Sequence, residues 1–130
     1  MREVLFRAKR SDNGEWIYGF YCCYGHVKQE KSYIMPDCAS DLCVVEIIPG
    51  TLGQYIGLTD RYDVKIFEGD IVRWTDSAGS TRNFLVAWDK YRNSFYLRSW
   101  GYNVDFYDCC AEELTVIGNI YDDPKPLKGE

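Results

Sequence analysis

Short runs of residues with period-two alternation recur along almost the whole chain, and turn-forming residues separate them. No segment sustains apolar residues at positions i, i+3, i+4 and i+7, which is the spacing of an amphipathic helix. A chain of 130 residues fits one domain with one hydrophobic core. The pattern predicts a mainly β fold, a small barrel-like antiparallel domain of complex topology with at most one or two short helical turns. We expect this single domain to span residues 1–121 and a flexible C-terminal tail to span residues 122–130.

The predicted strands coincide with runs of β-branched and aromatic residues, at 4–8, 16–24, 33–35, 43–48, 64–67, 70–75, 81–88, 94–99 and 115–121. Asn13-Gly14 lies between the first two runs and predicts a hairpin closed by a type I′ turn. The best candidate for a short helix is the segment 109–114. Residues 37–42 are compatible with a loop or one helical turn.

Six cysteines permit either a disulfide framework or free thiols; they are Cys22, Cys23, Cys38, Cys43, Cys109 and Cys110. The start of the chain lacks the long apolar core of a signal peptide, and no apolar run approaches the ~20 residues that span a bilayer. We therefore expect a cytoplasmic protein with reduced thiols. A zinc site built from Cys22 or Cys23 with His26, Cys38 and Cys43 lacks the Cys-x-x-Cys spacing of structural sites. No metal or other cofactor is expected.

The segment 54–72 contains two acidic turns around a short strand. Asp60 begins the first turn, where its side chain can accept a backbone N–H, and Gly69 in the second turn is suited to a positive φ. Asp60, Asp63, Glu68 and Asp70 could instead bind a hard cation, but their spacing is not that of a calcium loop. We expect structural turn roles for Gly57, Asp60, Gly69, Asp70, Gly118 and Asn119.

The order and spacing of several blocks resemble the YopX family: FRA at 6–8, WIYG at 16–19, TLGQYIGLTD at 51–60, IFEGDIV at 66–72 and VIGNIYDDP at 116–124. Tyr62-Asp63 departs from the glycine-containing turn that the family usually has there, so the type of this turn stays open. The resemblance implies a mostly β, barrel-like domain encoded by a phage or prophage, in the cytoplasm of a bacterial host. Because the family has no established biochemical function, the resemblance implies no catalytic residues.

The net charge of −5 argues against a protein whose whole surface is cationic, but the charge is unevenly distributed. Residues 71–100 carry five basic and two acidic groups, a net +3, whereas residues 1–70 carry −3 and residues 101–130 carry −5. Basic groups interleaved with aromatic rings can bind single-stranded nucleic acid. The same alternation also arises when the rings face a core. The candidate nucleic-acid face consists of Arg73, Arg82, Trp88, Lys90, Arg92 and Arg98.

Twenty-one aromatic residues are many for a small core, and exposed Tyr and Trp are enriched at protein interfaces. Five tyrosines fall at predicted strand ends or loops: Tyr21, Tyr24, Tyr91, Tyr102 and Tyr107. The chain contains no recognised catalytic motif and no phosphate-binding loop, so no enzyme and no small-molecule substrate are predicted. The leading hypothesis is a non-enzymatic protein-interaction or self-assembly β module, with a homo-oligomer among its expected partners. The alternative is single-stranded nucleic-acid binding through residues 71–100.

Overall fold

The computed structural model describes residues 4–24, 31–36, 44–99, 102–106 and 111–127. The strands of this part of the chain are β1 Phe6–Lys9, β2 Trp16–Tyr24, β3 Lys31–Pro36, β4 Val45–Glu46, β5 Gly53–Thr59, β6 Lys65–Phe67, β7 Asp70–Thr75, β8 Thr81–Asp89, β9 Ser94–Ser99, β10 Tyr102–Asp105 and β11 Leu114–Asn119. Helical structure in the same residues is limited to single 3-10 turns at Pro49–Thr51, Ala111–Glu113 and Lys125–Leu127. None of the described helices is long and apolar enough to cross a membrane.

The strands form two sheets, with the orders β4-β3-β2-β1-β5-β6 and β10-β9-β8-β7-β11. The prediction of a mainly β, antiparallel fold is confirmed, and barrel-like holds only in a loose sense, because the sheets are not closed into a barrel. The chain divides into two compact units, residues 1–55 and residues 56–130. Strand β5 begins in the first unit and continues in the second.

The first unit is built on the hairpin of β1 and β2, in which Ala8 lies opposite Ile17. Ala8 belongs to a buried cluster with Ile34 and Ile47, and Phe6, Ile17 and Leu52 pack against it. Alternation therefore places the core on one face of the first sheet.

The hairpin is confirmed, but the predicted type I′ turn is wrong. The loop has four residues, closed by hydrogen bonds from the N–H of Arg10 to the carbonyl of Glu15 (2.8 Å) and from the N–H of Gly14 to the carbonyl of Arg10 (3.0 Å). Gly14 has a φ of +74°, whereas Asn13 has no positive φ. The Asn13 side chain instead accepts the N–H of Glu15 at 2.9 Å, and this local bond favours the longer loop.

The second unit is built on a cluster of buried side chains from six strands, β6 to β11: Ile66, Val72, Phe84, Val86, Leu97, Val104 and Leu114. Two strands, β5 and β10, were not predicted from the sequence. The C-terminal 3-10 turn contacts this unit, because the buried Asn83 amide donates to the carbonyl of Pro126 at 2.9 Å.

Cys22 on β2 is a half-buried free thiol. His26, Cys38, Cys43, Cys109 and Cys110 lie outside the described residues, as do residues 37–42. The short helix predicted at 109–114 overlaps the 3-10 turn at Ala111–Glu113.

Asp60 joins the turn between β5 and β6 to the edge of the second sheet. Its side chain is 5 % exposed. The carboxylate accepts the N–H groups of Tyr62 (2.8 Å) and Val64 (3.0 Å) within the turn and that of Val116 (2.9 Å) on β11. The N–H of Arg61 also donates to the carbonyl of Leu114 at 3.0 Å. The predicted local acceptor role of Asp60 is confirmed, and the turn also hydrogen-bonds two backbone groups on the edge of β11, the N–H of Val116 and the carbonyl of Leu114.

Gly69 lies between β6 and β7 with a φ of +93°. Its N–H donates to the carbonyl of Val86, and its own carbonyl accepts the N–H of Ile120 (both 2.9 Å). A Cβ at this position would lie 2.8 Å from the ring of Tyr121, so both conformation and space require glycine. In the next position Asp70 is buried and accepts the N–H of Phe67 at 2.8 Å, which closes the turn.

The other three predicted turn residues lie in or at the ends of strands. Gly57 lies within β5, and Gly118 follows a β-bulge in the pairing of β11 with β7. Asn119 ends β11, and its side-chain oxygen accepts the N–H groups of Tyr121 (3.0 Å) and Asp122 (2.9 Å).

Asp63 has a φ of +64°, a conformation that residues other than glycine rarely adopt. The open question about this turn is thereby answered in part, since the backbone keeps a glycine-like geometry although the residue is aspartate. The N–H of Asp63 donates to the carbonyl of Asp60 at 3.0 Å, which maintains the turn.

Replacing Asp60 tests whether its carboxylate stabilises the contact between the turn and β11. Asp60→Asn keeps one acceptor oxygen for the turn but places an amide NH₂ against a backbone N–H, so we expect a loss of about 2 kcal/mol in unfolding free energy at neutral pH. Burial raises the pKa of Asp60, but its three N–H bonds outweigh that effect and hold the pKa below its ordinary value of 3.8. The stabilisation is therefore present above pH 3.8 and is lost as the pH falls through the lowered pKa.

Urea unfolding at several pH values measures this effect. The stability difference between the wild-type chain and Asp60→Asn should be largest near neutral pH and shrink in acid. A difference that is constant over the whole range would contradict the role of the ionised carboxylate.

Asp63→Gly should stabilise the second unit by up to about 1 kcal/mol, because glycine adopts a positive φ without steric cost. Asp63→Val, the matched control, should lose about 1–2 kcal/mol, since a β-branched residue is strained in this conformation. Thermal and urea unfolding measure the stability of the two variants. Equal stabilities would show that the positive φ of residue 63 does not affect the free energy of unfolding.

Candidate interaction surface

The turn between β8 and β9 is fixed by Asp89, the last residue of β8. Its carboxylate accepts the N–H groups of Tyr91 (2.9 Å) and Arg92 (3.3 Å), and Asn93 completes the turn with a φ of +53°. Aspartate and asparagine are favoured here because their short side chains bond local backbone and tolerate positive φ. Tyr91 is thereby held at the tip of the turn with 87 % of its surface exposed.

A concavity of about 750 Å³ lies beside this turn and is lined by Glu68, Trp88, Asp89, Lys90, Tyr91, Arg92, Tyr96, Asn103 and Asp105. Trp88 is 45 % exposed, and its ring packs edge-on against Phe95 with centroids 4.9 Å apart. The indole is therefore held on one side and open to solvent on the other. We call these lining residues the concave surface.

Charges of both signs line the concave surface. The Arg92 guanidinium Nη1 lies 3.0 Å from the nearer oxygen of Asp105, and its Nε lies 3.9 Å from Asp89. Lys90 extends over the Tyr91 ring, with Nζ 5.2 Å from the centroid. Solvent-exposed ion pairs contribute only about 0.2–1 kcal/mol each to stability, but they orient these side chains.

The six residues of the predicted nucleic-acid face do not share one surface. Arg73 pairs across the strands with Asn83, and Leu85 pairs with Arg98, so both arginines project from the face opposite the core. Arg82 and Trp88 alternate with them and lie on the core-bearing face of β8, while Lys90 and Arg92 lie in the turn. The structure thus brings together Trp88, Lys90 and Arg92, and binding of nucleic acid by the whole set stays a prediction.

Sequence reasoning did not identify Glu68, Asn103 and Asp105 as neighbours of Trp88 and Tyr91. Asn103 and Asp105 lie on β10, whose pairing with β9 places Asp105 opposite Tyr96. The available signal was the alternation in Tyr-Asn-Val-Asp at 102–105, where Val104 is buried between Asn103 and Asp105, which are not. Tyr24 and Tyr102 lie on β2 and β10, and Tyr107 lies outside the described residues.

Comparisons with known proteins agree with this fold. The family described as YopX protein matches residues 5–128. A solved structure, the protein EF1440 from Enterococcus faecalis, is similar with a TM-score of 0.53 and 18 % sequence identity, over 98 % of this chain and 100 % of that chain. This likeness concerns the fold alone. No curated protein matches the sequence. Since the family match covers nearly the whole chain, the protein belongs to the YopX family.

Proposed function

We propose that this protein is a non-enzymatic interaction module that self-associates through the concave surface. The observation that carries the proposal is the pair of aromatic side chains, Tyr91 and Trp88, held exposed at a turn whose backbone is fixed by Asp89. Exposed aromatic residues on a rigid element bury large areas at little entropic cost. Such residues often supply most of the binding energy of a protein interface.

The charges favour a second copy of the chain as the occupant. An interface with two-fold symmetry requires a surface that is complementary to itself. The concave surface contains cations at Lys90 and Arg92 and carboxylates at Glu68, Asp89 and Asp105. In a two-fold pair, cations of one copy can face carboxylates of the other. A polyanion such as nucleic acid would meet three carboxylates here, which lowers its affinity.

The family suggests where this assembly takes place. Because the resemblance to YopX proteins implies a phage or prophage gene, we propose that the protein acts in the cytoplasm of the bacterial host. The proposal includes no catalytic step and no small-molecule substrate.

The association is tested by sedimentation equilibrium over a range of protein concentrations. We expect a reversible dimer, weakened at least tenfold by Tyr91→Ala or Trp88→Ala because truncated aromatic hot spots cost about 2 kcal/mol or more. The matched control is Tyr62→Ala, which removes a side chain that is 67 % exposed outside the concave surface. A chain that is monomeric at every concentration would overturn the proposal.

Charge reversal tests the two-fold arrangement. Lys90→Glu makes the concave surface more acidic and Glu68→Lys makes it more basic, so each variant alone should fail to dimerise. Mixed together, the two should form a heterodimer, because the opposed surfaces then differ in sign. Failure of the mixture to associate, with both variants folded by circular dichroism, would exclude this contact.

A further inference from the structure

Two buried apolar side chains of the second sheet lie on the face opposite its core. Val72 and Phe84 belong to the buried cluster of the second unit, so their neighbours along the strands, Ile71 and Leu85, point to the other face. Ile71 is fully buried and Leu85 is 7 % exposed, although neither belongs to that cluster. Another part of the chain must therefore cover this pair, which we call the apolar strip.

The residues that follow β11 cross the face of the apolar strip. They begin at Asn119, which pairs with Asp70, the residue directly before the isoleucine of the strip. They reach Pro126, whose carbonyl accepts the side-chain amide of Asn83 at 2.9 Å. Because Asn83 is two residues from the leucine of the strip on β8, its side chain lies on the same face. The path between these two points leads over the strip, and we call residues 120–127 the C-terminal strap.

Local hydrogen bonds direct the strap back towards its own sheet. The side-chain oxygen of Asn119 accepts the N–H groups of Tyr121 and Asp122, which reverses the chain after β11. At the far end, the N–H of Leu127 donates to the carbonyl of Pro124 at 3.1 Å and closes the last 3-10 turn. Since the reversal is built into the sequence next to β11, the same chain, and not a second copy, supplies the cover.

The far end of the strap is anchored by a side chain of the sheet. Pro124 and Pro126 have no N–H group, so neither can donate to a strand. The anchor, Asn83, is oriented by Arg73, whose Nε donates to the Asn83 side-chain oxygen at 3.1 Å. Residues 121–125 are exposed, whereas Pro126 and Leu127 are half-buried. A segment that buries so little surface opens at a lower free energy than the strands of a core.

We propose that the C-terminal strap is a lid that opens and closes over the apolar strip while the second sheet stays folded. In the closed state the bond between Asn83 and Pro126 holds the lid, and Ile71 and Leu85 are kept from water and from other chains. In the open state the strip is exposed on a sheet that is otherwise intact. This device is independent of self-association through the concave surface.

Backbone hydrogen exchange of the full-length chain, followed residue by residue by NMR, tests the lid. The amide of Leu127 reports on the strap, and the amide of Gly69, which donates to the carbonyl of Val86, reports on the sheet. In the wild-type chain Leu127 should exchange faster than Gly69. Asn83→Ala should accelerate exchange at Leu127 up to about tenfold, the effect of one lost hydrogen bond, and leave Gly69 unchanged.

The matched control is Arg98→Gln, which replaces an exposed side chain on the same face of the sheet, opposite Leu85. It should change neither exchange rate. A second variant, Leu127→Asp, alters the strap and none of the strands. It should open the lid and increase the fluorescence of an apolar dye, anilinonaphthalene sulfonate, at least twofold over Arg98→Gln.

Three results would overturn the proposal. Equal exchange at Leu127 and Gly69, with a parallel acceleration of both in Asn83→Ala, would show that strap and sheet unfold as one unit. Exchange at Leu127 as fast as in an unstructured peptide would show that the lid is not closed. A rate at Leu127 that falls as the protein concentration rises would show that the strap docks on a second copy.

Discussion

The fold of the second unit depends on the buried carboxylate of Asp60. A charged group removed from water must have its oxygen atoms hydrogen-bonded, or it destabilises the fold. Asp60 meets this requirement with two N–H groups of its own turn and a third on β11, 56 residues further along the chain. Local turn geometry and the position of the last described strand are therefore coupled. The core strand β7, which pairs with β11, is held on that side by the same connection.

Runs of β-branched and aromatic residues between turn-forming residues predicted several strands correctly. The bounds of β2, β7 and β9 agree with the predicted runs 16–24, 70–75 and 94–99. Strand β5 was missed because its glycines at 53 and 57 weaken the β signal, and pairing with β1 stabilises it instead. The turn at 11–14 was predicted with the wrong type because a side-chain bond of Asn13 competes with the type I′ conformation.

The candidate surfaces were predictable only in part, since they depend on register. The sequence shows that Arg73 and Arg82 lie on strands, but only their pairing partners show that they project from opposite faces. The contact between Arg92 and Asp105 requires β10 to pair with β9, a topology that local pattern does not specify. On β2, alternation along the strand indicates that Trp16, Tyr18 and Phe20 lie on the same face. Only the burial of Ala8 and Ile34 shows that this face is the one opposite the core.

The connection between Asp60 and β11 also has a consequence for synthesis on the ribosome. Domains generally fold as they emerge, from the N-terminal side onward. The turn at 60–63 leaves the ribosome well before Val116 and Leu114 do, so its carboxylate and the N–H of Arg61 must wait for their partners on β11. During that interval one side of β7 is an open strand edge, available to neighbouring nascent chains. Once β11 pairs with β7, this strand edge is covered and can no longer pair with another chain.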